Sequence, residues 1–168
     1  MIEPSPLIVT LQIDSDAFSF FNKLRQKHFP SAINYLDAHL TLFHHLPAVP
    51  AVSQLLETVA SKQERIPLEV ISVMKLGRGV AYKIKSEALV ALHYYLQISW
   101  QDWLTPQDRQ KLNPHITVQN KVAVDTAHAL YQELAASFKS FTIEGTGLSL
   151  WAYKGGPWNK IEDYSFTK

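Results

Sequence analysis

The sequence of 168 residues has no cysteine. Without a thiol, the chain has no disulfide scaffold, no thiolate zinc site and no cysteine nucleophile. An excess of one charge is also missing, because 16 lysines and arginines are balanced by 15 acidic residues, for a net charge of +1. A nearly neutral chain has no overall field that draws it to nucleic acid or to a membrane surface. Any such partner must therefore be bound by a local site.

Long apolar runs are missing as well. The first apolar segment, residues 7–13, follows an acidic residue and two prolines. A signal peptide begins with basic residues and has a longer apolar stretch, and a membrane helix needs about 20 apolar residues. With 46% apolar and 18% charged residues, the composition is that of one ordinary globular domain. We expect a cytoplasmic monomer with no membrane partner.

Hydrophobic periodicity predicts alternating strands and helices along the chain. Strands, in which every second residue is apolar, are predicted at 6–13, 35–43, 67–75, 80–85, 115–122, 141–143 and 148–153, with a last strand near the end. Helices, in which apolar residues recur every three to four positions, are predicted at 17–28, 52–59, 89–100 and 127–138. Glycines at 77–79 and 155–156 indicate turns.

Two tetrapeptides, 39–42 and 115–118, share one pattern, a His-x-Thr followed by an apolar residue. In both halves an apolar strand begins 27 residues after the histidine, at 66 and 142, and a glycine turn follows after 40 residues, at 79 and 155. Agreement of motif, strand context and spacing is much rarer than the tripeptide alone. We therefore predict a single domain, 1–168, made of two duplicated strand-helix-strand-helix-strand units, roughly 6–78 and 79–168, related by a pseudo-twofold axis.

Each motif places an imidazole and a hydroxyl on the same face of a strand, because residues two apart point the same way. If the halves face each other, His39 and Thr41 meet His115 and Thr117 across a cleft. One imidazole takes a proton while the other gives one, and the hydroxyls donate to phosphate oxygens. These four residues are the predicted catalytic groups for cleavage of a phosphodiester. The chemistry requires neither a metal nor a cofactor.

A zinc site is the rival hypothesis for the histidines. It would use His39, His44, His45 and His115. The adjacent His44 and His45 point to opposite faces of a strand, and no His-Glu-x-x-His or other ligand spacing is present. The helical histidines at 28, 93 and 128 are interpreted as structural.

Strand parity also predicts substrate-binding residues. Phe43 shares the face of the first motif, Gln119 shares the face of the second, and Lys83 lies opposite the apolar face of its strand. Trp151 and Tyr153 share parity late in the second half. An aromatic ring stacks on a base and a lysine meets a phosphate. In the alternative interpretation, Phe43 and Trp151 belong to the core and Lys83 is a solvated charge.

The paired motifs 39–42 and 115–118 resemble those of the two-histidine (2H) phosphoesterase superfamily, and within it the bacterial 2'-5' RNA ligase-like proteins. The segments 104–108, 119–121 and 156–158 are similar to one bacterial branch of that family. The resemblance implies a bilobal, duplicated α+β fold, in which two antiparallel-rich sheets face a central cleft and the helices pack outside. It also implies that the histidines are acid and base and that the threonines contact phosphate.

The expected function is that of a metal-independent phosphodiesterase for 2',3'-cyclic or 2'-5'-linked nucleotide or RNA phosphates. The expected partner is a nucleotide or RNA terminus that carries such a phosphate. A non-catalytic nucleotide or RNA-terminus binding module and a reversible 2'-5' RNA ligase are the alternatives. ATP-driven ligation is disfavoured, since the sequence has no nucleotide-activating lysine motif and no phosphate-binding glycine loop. Which histidine is the base, and which linkage is cleaved, stay open.

Overall fold

The computed structural model describes residues 4–167 and has an α+β fold, as predicted. Its strands are β1 (Leu7–Ile13), β2 (Leu40–Leu46), β3 (Ile66–Lys75), β4 (Val80–Lys85), β5 (His115–Gln119), β6 (Phe141–Ala152) and β7 (Asn159–Ser165). Its helices are α1 (Ser15–His28), α2 (Pro50–Lys62), α3 (Glu87–Ser99) and α4 (Val124–Ala136). Within residues 4–167, none of the helices combines the length and the apolar character that a membrane crossing requires.

The described strands form one antiparallel sheet in the order β2-β1-β6-β3-β4-β5, with β7 also paired to β6. The prediction of two separate sheets is therefore corrected. Strand β6 is the reason, because its residues 145–152 pair with β1 while 141–145 pair with β3. Separate strands were predicted at 141–143 and 148–153, with Gly145 and Gly147 between them. Both glycines lie inside the strand, and a Cβ at Gly147 would come within 2.6 Å of the Tyr164 backbone oxygen on β7.

The strand order has an internal regularity. If β1 is exchanged with β4, β2 with β5 and β3 with β6, the order becomes β5-β4-β3-β6-β1-β2, which is the original order read backwards. We call β1, β2, β7 and residues 145–152 the first lobe, and β3, β4, β5 and residues 141–145 the second lobe. Two copies of one strand-helix-strand-helix-strand unit would produce this order. The duplication and its boundaries stay a prediction.

Burial fixes the orientation of both motif strands. The residues between and after the motif positions, Leu40, Leu42, Ile116 and Val118, are at most 2% exposed. Complete burial of such side chains stabilises the fold by about 2 kcal/mol each. A register slip of one residue would turn these side chains to solvent. The apolar residues therefore hold the intervening histidines and threonines on the opposite face.

Candidate active site

The four motif side chains line one cavity of about 360 Å³: His39, Thr41, His115 and Thr117. Their strands, β2 and β5, are at opposite ends of the strand order and yet lie close together, because the sheet curves round on itself. Helix α1 packs against β5 and supports this arrangement from the first half of the chain. The two imidazoles and two hydroxyls that the sequence analysis grouped are thus neighbours in space.

The two motif histidines have matching hydrogen bonds. Nδ1 of His39 lies 2.8 Å from the carbonyl oxygen of Asp37, and Nδ1 of His115 lies 2.7 Å from that of Asn113. A carbonyl oxygen only accepts, so in each ring Nδ1 carries the hydrogen and donates it. Nε2 is then the nitrogen that remains for proton transfer in both rings.

The surroundings of His39 favour its neutral form. Burial lowers the pKa of its imidazole to about 4, and the charges of Arg25, His115 and His44 act in the same direction, against the hydrogen bond to Asp37. The indole of Trp158 covers the ring, with ring centroids 4.9 Å apart. Near neutral pH, His39 is therefore ready to accept a proton. The sequence analysis did not assign a site role to Trp158.

Arg25 forms hydrogen bonds both to the segment before the first motif and to the second motif. It was not among the predicted site residues. Its side chain is buried, and Nε donates to the Asn34 side-chain oxygen and to the Leu36 carbonyl oxygen, both at 2.8 Å. Nη1 donates to the Thr117 carbonyl oxygen at 3.1 Å. Burial lowers the pKa of this guanidinium to about 10, against the charge of Asp37. The sequence did contain a signal for its burial, because Arg25 follows Ala17 by eight residues and so lies on the same, buried face of α1.

A β-bulge follows each motif and overturns two predictions from strand parity. Thr10 on β1 pairs with Thr41, but the preceding Val9 pairs with Phe43, so β2 has one extra residue at Leu42. Such a bulge reverses the alternation of the residues after it. Phe43 consequently turns into the core.

The second motif has the equivalent irregularity. Ala81 pairs with Thr117 and Val80 with Gln119, which leaves Val118 as the extra residue on β5. Phe43 is fully buried and stacks on His93 at 4.6 Å between ring centroids, and Gln119 is 3% exposed. Neither side chain lines the cavity of the motifs. Their assignment as substrate-binding residues is corrected.

The other three predicted contacts lie in different places. Lys83 is exposed and is the cross-strand partner of His115, without lining the cavity. Tyr153 is also exposed, but it lines a separate cavity with His45 and Lys154, so its placement beside the motifs is corrected. Trp151 lines a cavity next to His39, and its Nε1 donates to the Thr10 hydroxyl at 2.9 Å.

An aromatic pocket of about 310 Å³ adjoins the motif cavity, and His39 and Trp158 line both. Its aromatic lining consists of Trp151, Trp158, Phe18 and Tyr35. The two indoles meet edge to face, with centroids 6.1 Å apart, and Nζ of Lys160 lies 4.9 Å from the Trp151 ring. Trp158 and Lys160 come from β7 and the turn before it. This pocket has the flat apolar surfaces and the cation that suit a nucleotide.

Asp108 fixes His44, and both residues line the motif cavity. Both carboxylate oxygens of Asp108 accept the His44 backbone N–H at 2.9 Å, and one also accepts the His45 N–H at 2.9 Å. Nδ1 of His44 lies 3.1 Å from the same carboxylate. Burial alone would raise the pKa of Asp108, but these hydrogen bonds outweigh it and lower that pKa. The sequence analysis did not anticipate this pair.

The bulge at Leu42 also explains why His44 lines the motif cavity although it is three residues from Thr41. His45 points away, to the cavity of Tyr153. Between residues 4 and 167, no three His, Cys, Asp or Glu side chains are grouped closely enough to hold a metal ion. The four histidines of the zinc hypothesis therefore do not form such a group.

The sequence of the chain matches the model of one known family. The model of the 2'-5' RNA ligase superfamily matches residues 13–157. Among curated proteins, no sequence matches the chain significantly.

Several solved structures share the fold. The TT0787 protein of Thermus thermophilus is 14% identical, with 96% of this chain and 97% of that chain covered and a TM-score of 0.66. A protein described as a phosphoesterase is 17% identical over 99% of this chain and 100% of that chain, with a TM-score of 0.62. LigT of E. coli, complexed with NADP+, is 18% identical over 99% and 100%, with a TM-score of 0.61. The family match spans most of the chain, so the protein belongs to the 2'-5' RNA ligase superfamily.

Proposed function

We propose that the protein is a metal-independent phosphodiesterase that acts on 2',3'-cyclic or 2'-5'-linked nucleotide phosphates. The observation that carries this proposal is the cavity in which two His-x-Thr pairs meet. Each pair offers one imidazole with its Nδ1 occupied by a backbone carbonyl, and one hydroxyl. A phosphodiester needs a base and an acid on opposite sides of phosphorus, and this cavity supplies both.

The two histidines take different roles in the proposed reaction. His39 is the base, because the low pKa of its ring leaves Nε2 unprotonated near neutral pH. Nε2 of His39 accepts a proton from water as the water oxygen bonds to phosphorus. Nε2 of His115 donates a proton to the sugar oxygen as the bond from that oxygen to phosphorus breaks. The products are a phosphomonoester and a free sugar hydroxyl, with the two protons exchanged between the rings and solvent.

The threonines hold the phosphate during this exchange. Thr41 and Thr117 line the same cavity as the imidazoles, and each hydroxyl donates to a non-bridging phosphate oxygen. The aromatic pocket beside His39 supports the choice of a nucleotide as the substrate, because it lies next to the base. In the same direction, LigT of E. coli, which is similar in fold, is known in complexes with 3'-AMP and with phosphate.

A substrate panel tests the proposal. Purified protein is incubated in a chelator with the four 2',3'-cyclic nucleotides and with 2'-5' and 3'-5' dinucleotides, and ³¹P NMR identifies the position of the product phosphate. We expect hydrolysis of a cyclic or 2'-5' substrate that persists in the chelator. Binding of these nucleotides without turnover would replace the proposal by the binding-module alternative. Activity that the chelator abolishes and one divalent ion restores would contradict metal independence.

A further inference from the structure

His44 and Lys111 are two cationic or potentially cationic side chains in the motif cavity that the proposed reaction does not use. His44 comes from the bulged end of β2, and Lys111 from the segment that leads to β5. Neither of them lines the aromatic pocket. The site therefore has an apolar, aromatic side and a polar side.

The carboxylate of Asp108 is close to these side chains, and its charge must be accounted for. Its oxygens accept two backbone N–H groups and the Nδ1–H of His44. Its side chain is 1% exposed, so the carboxylate has little surface with which to meet a ligand. The side chain of His44, in contrast, is 46% exposed. Asp108 thus holds the ring while Nε2 of His44 stays open to the cavity.

The carboxylate at Nδ1 compensates the charge of an imidazolium, the form of the ring that donates from Nε2. The ring then donates a charge-assisted hydrogen bond to a phosphate oxygen. Lys111 adds a mobile ammonium with three donors to the same side of the cavity. Together, His44 and Lys111 provide the positive charge and the hydrogen-bond donors that bind a phosphate. A neutral sugar or a base needs neither side chain.

We propose that His44 and Lys111 bind a second phosphate of the substrate, one that is not cleaved. This inference rests on the proposed function, because it takes the His-x-Thr cavity as the position of the first phosphate. The preferred substrate is then a nucleotide or oligonucleotide with at least two phosphates. Its base lies in the aromatic pocket beside His39, the reacting phosphate lies between the motif histidines, and the second phosphate lies at His44.

Calorimetric titration of the intact protein tests the second phosphate directly. The ligands are adenosine 2',5'-bisphosphate and adenosine 3',5'-bisphosphate, each compared with the adenosine monophosphate that lacks the 5'-phosphate. We expect at least one bisphosphate to bind roughly tenfold more tightly than its monophosphate, as one additional charge-assisted contact provides. His44→Ala and Lys111→Ala should each remove most of that advantage and leave monophosphate binding within about twofold.

The chain offers matched controls for both variants. His45→Ala removes the neighbouring ring, which lines a different cavity, and Lys139→Ala removes an exposed lysine outside the site. Both controls should keep the advantage of the bisphosphate. If neither bisphosphate binds more tightly than its monophosphate, or if the advantage survives in both His44→Ala and Lys111→Ala, the second phosphate site is wrong.

Failure of this inference is distinct from failure of the proposed function, because the measurement is binding and not turnover. A substrate panel without hydrolysis, combined with a bisphosphate advantage that depends on His44, would leave the second phosphate site standing and remove the phosphodiesterase. Hydrolysis in the panel without such an advantage would do the opposite.

Discussion

The two motif strands are alike in their backbone and unlike in their surroundings. Both end in a bulge one residue after the threonine, and both histidines donate Nδ1–H to the carbonyl two residues earlier. Of the two motif histidines, His39 has the ring of Trp158, the residue before β7, packed against it at 4.9 Å between centroids. The cross-strand neighbour of His115 is instead the exposed Lys83. Similar backbones thus position the two imidazoles, and Trp158 distinguishes the surroundings of His39.

The largest expected effect comes from removing either imidazole. His39→Ala and His115→Ala should each lower kcat by about 10²–10⁴-fold, the usual contribution of a positioned base or acid. Both side chains face the cavity and not the core, so thermal unfolding should change little. Steady-state kinetics on the substrate found in the panel gives the measurement. Near wild-type turnover in either variant would show that the two motifs do not act as a pair.

Gly79 packs directly against the bulge of β5. A Cβ at Gly79 would lie 2.0 Å from the backbone oxygen of Gln119, so no side chain fits between β4 and the bulge of β5. Gly79→Ala should lower the free energy of unfolding by about 1–3 kcal/mol, as overpacking does. Urea denaturation measures this change, and Gly156→Ala is the control, since nothing lies within 4 Å of a Cβ there. Unchanged stability in Gly79→Ala would mean that the bulge moves freely.

The two threonines should behave alike if both hold the phosphate. Thr41→Val and Thr117→Val remove a hydroxyl at almost constant volume. Each should lower kcat/KM roughly tenfold, the loss expected for one hydrogen bond. The form of the pH–rate profile should stay the same, because neither hydroxyl titrates in the working range. An effect confined to one variant would show that only one motif contacts the phosphate.

The smallest expected effect is a shift in pH dependence at His39. With a base whose pKa is about 4, kcat/KM should fall as the pH drops through that value, because protonation removes the acceptor. Trp158→Ala uncovers the ring, so the acidic limb should move from about 4 toward the ordinary value of about 6.5. Initial rates measured from pH 3.5 to 8 report the shift. Tyr153→Ala, which is outside the site, should leave the limb in place.

The sequence predicted the two motifs, their strands and their shared cavity, because alternation determines which residues face the core up to Thr41 and Thr117. It did not predict the positions after them, since strict alternation does not include the extra residue that a bulge inserts. Phe43 and Gln119 were misplaced for this single reason. Arg25 escaped notice because a buried arginine on an apolar helix face looks like a surface charge in the sequence.

Contacts between residues that are far apart in the sequence were the second kind of feature that could not be predicted. The carboxylate of Asp108 caps backbone groups 63 and 64 residues away, and Trp158 reaches His39 across the cleft. Local periodicity contains no information about either distance. The strands predicted at 141–143 and 148–153 are one strand, and the missing side chains of Gly145 and Gly147 let neighbouring strands pass closely.

The central position of β6 has a consequence for whether the two halves of the chain could fold separately. In the order β1-β6-β3, the third strand of the second half lies between the first and third strands of the first half. A chain with only the first half would lack β6 and β4, which would leave one edge of β1 and both edges of β3 unpaired. A second copy would fill the gap reciprocally, as in an isologous dimer formed by strand exchange. In the single chain the two halves exchange these strands within one molecule. Separately expressed halves should therefore need each other to fold.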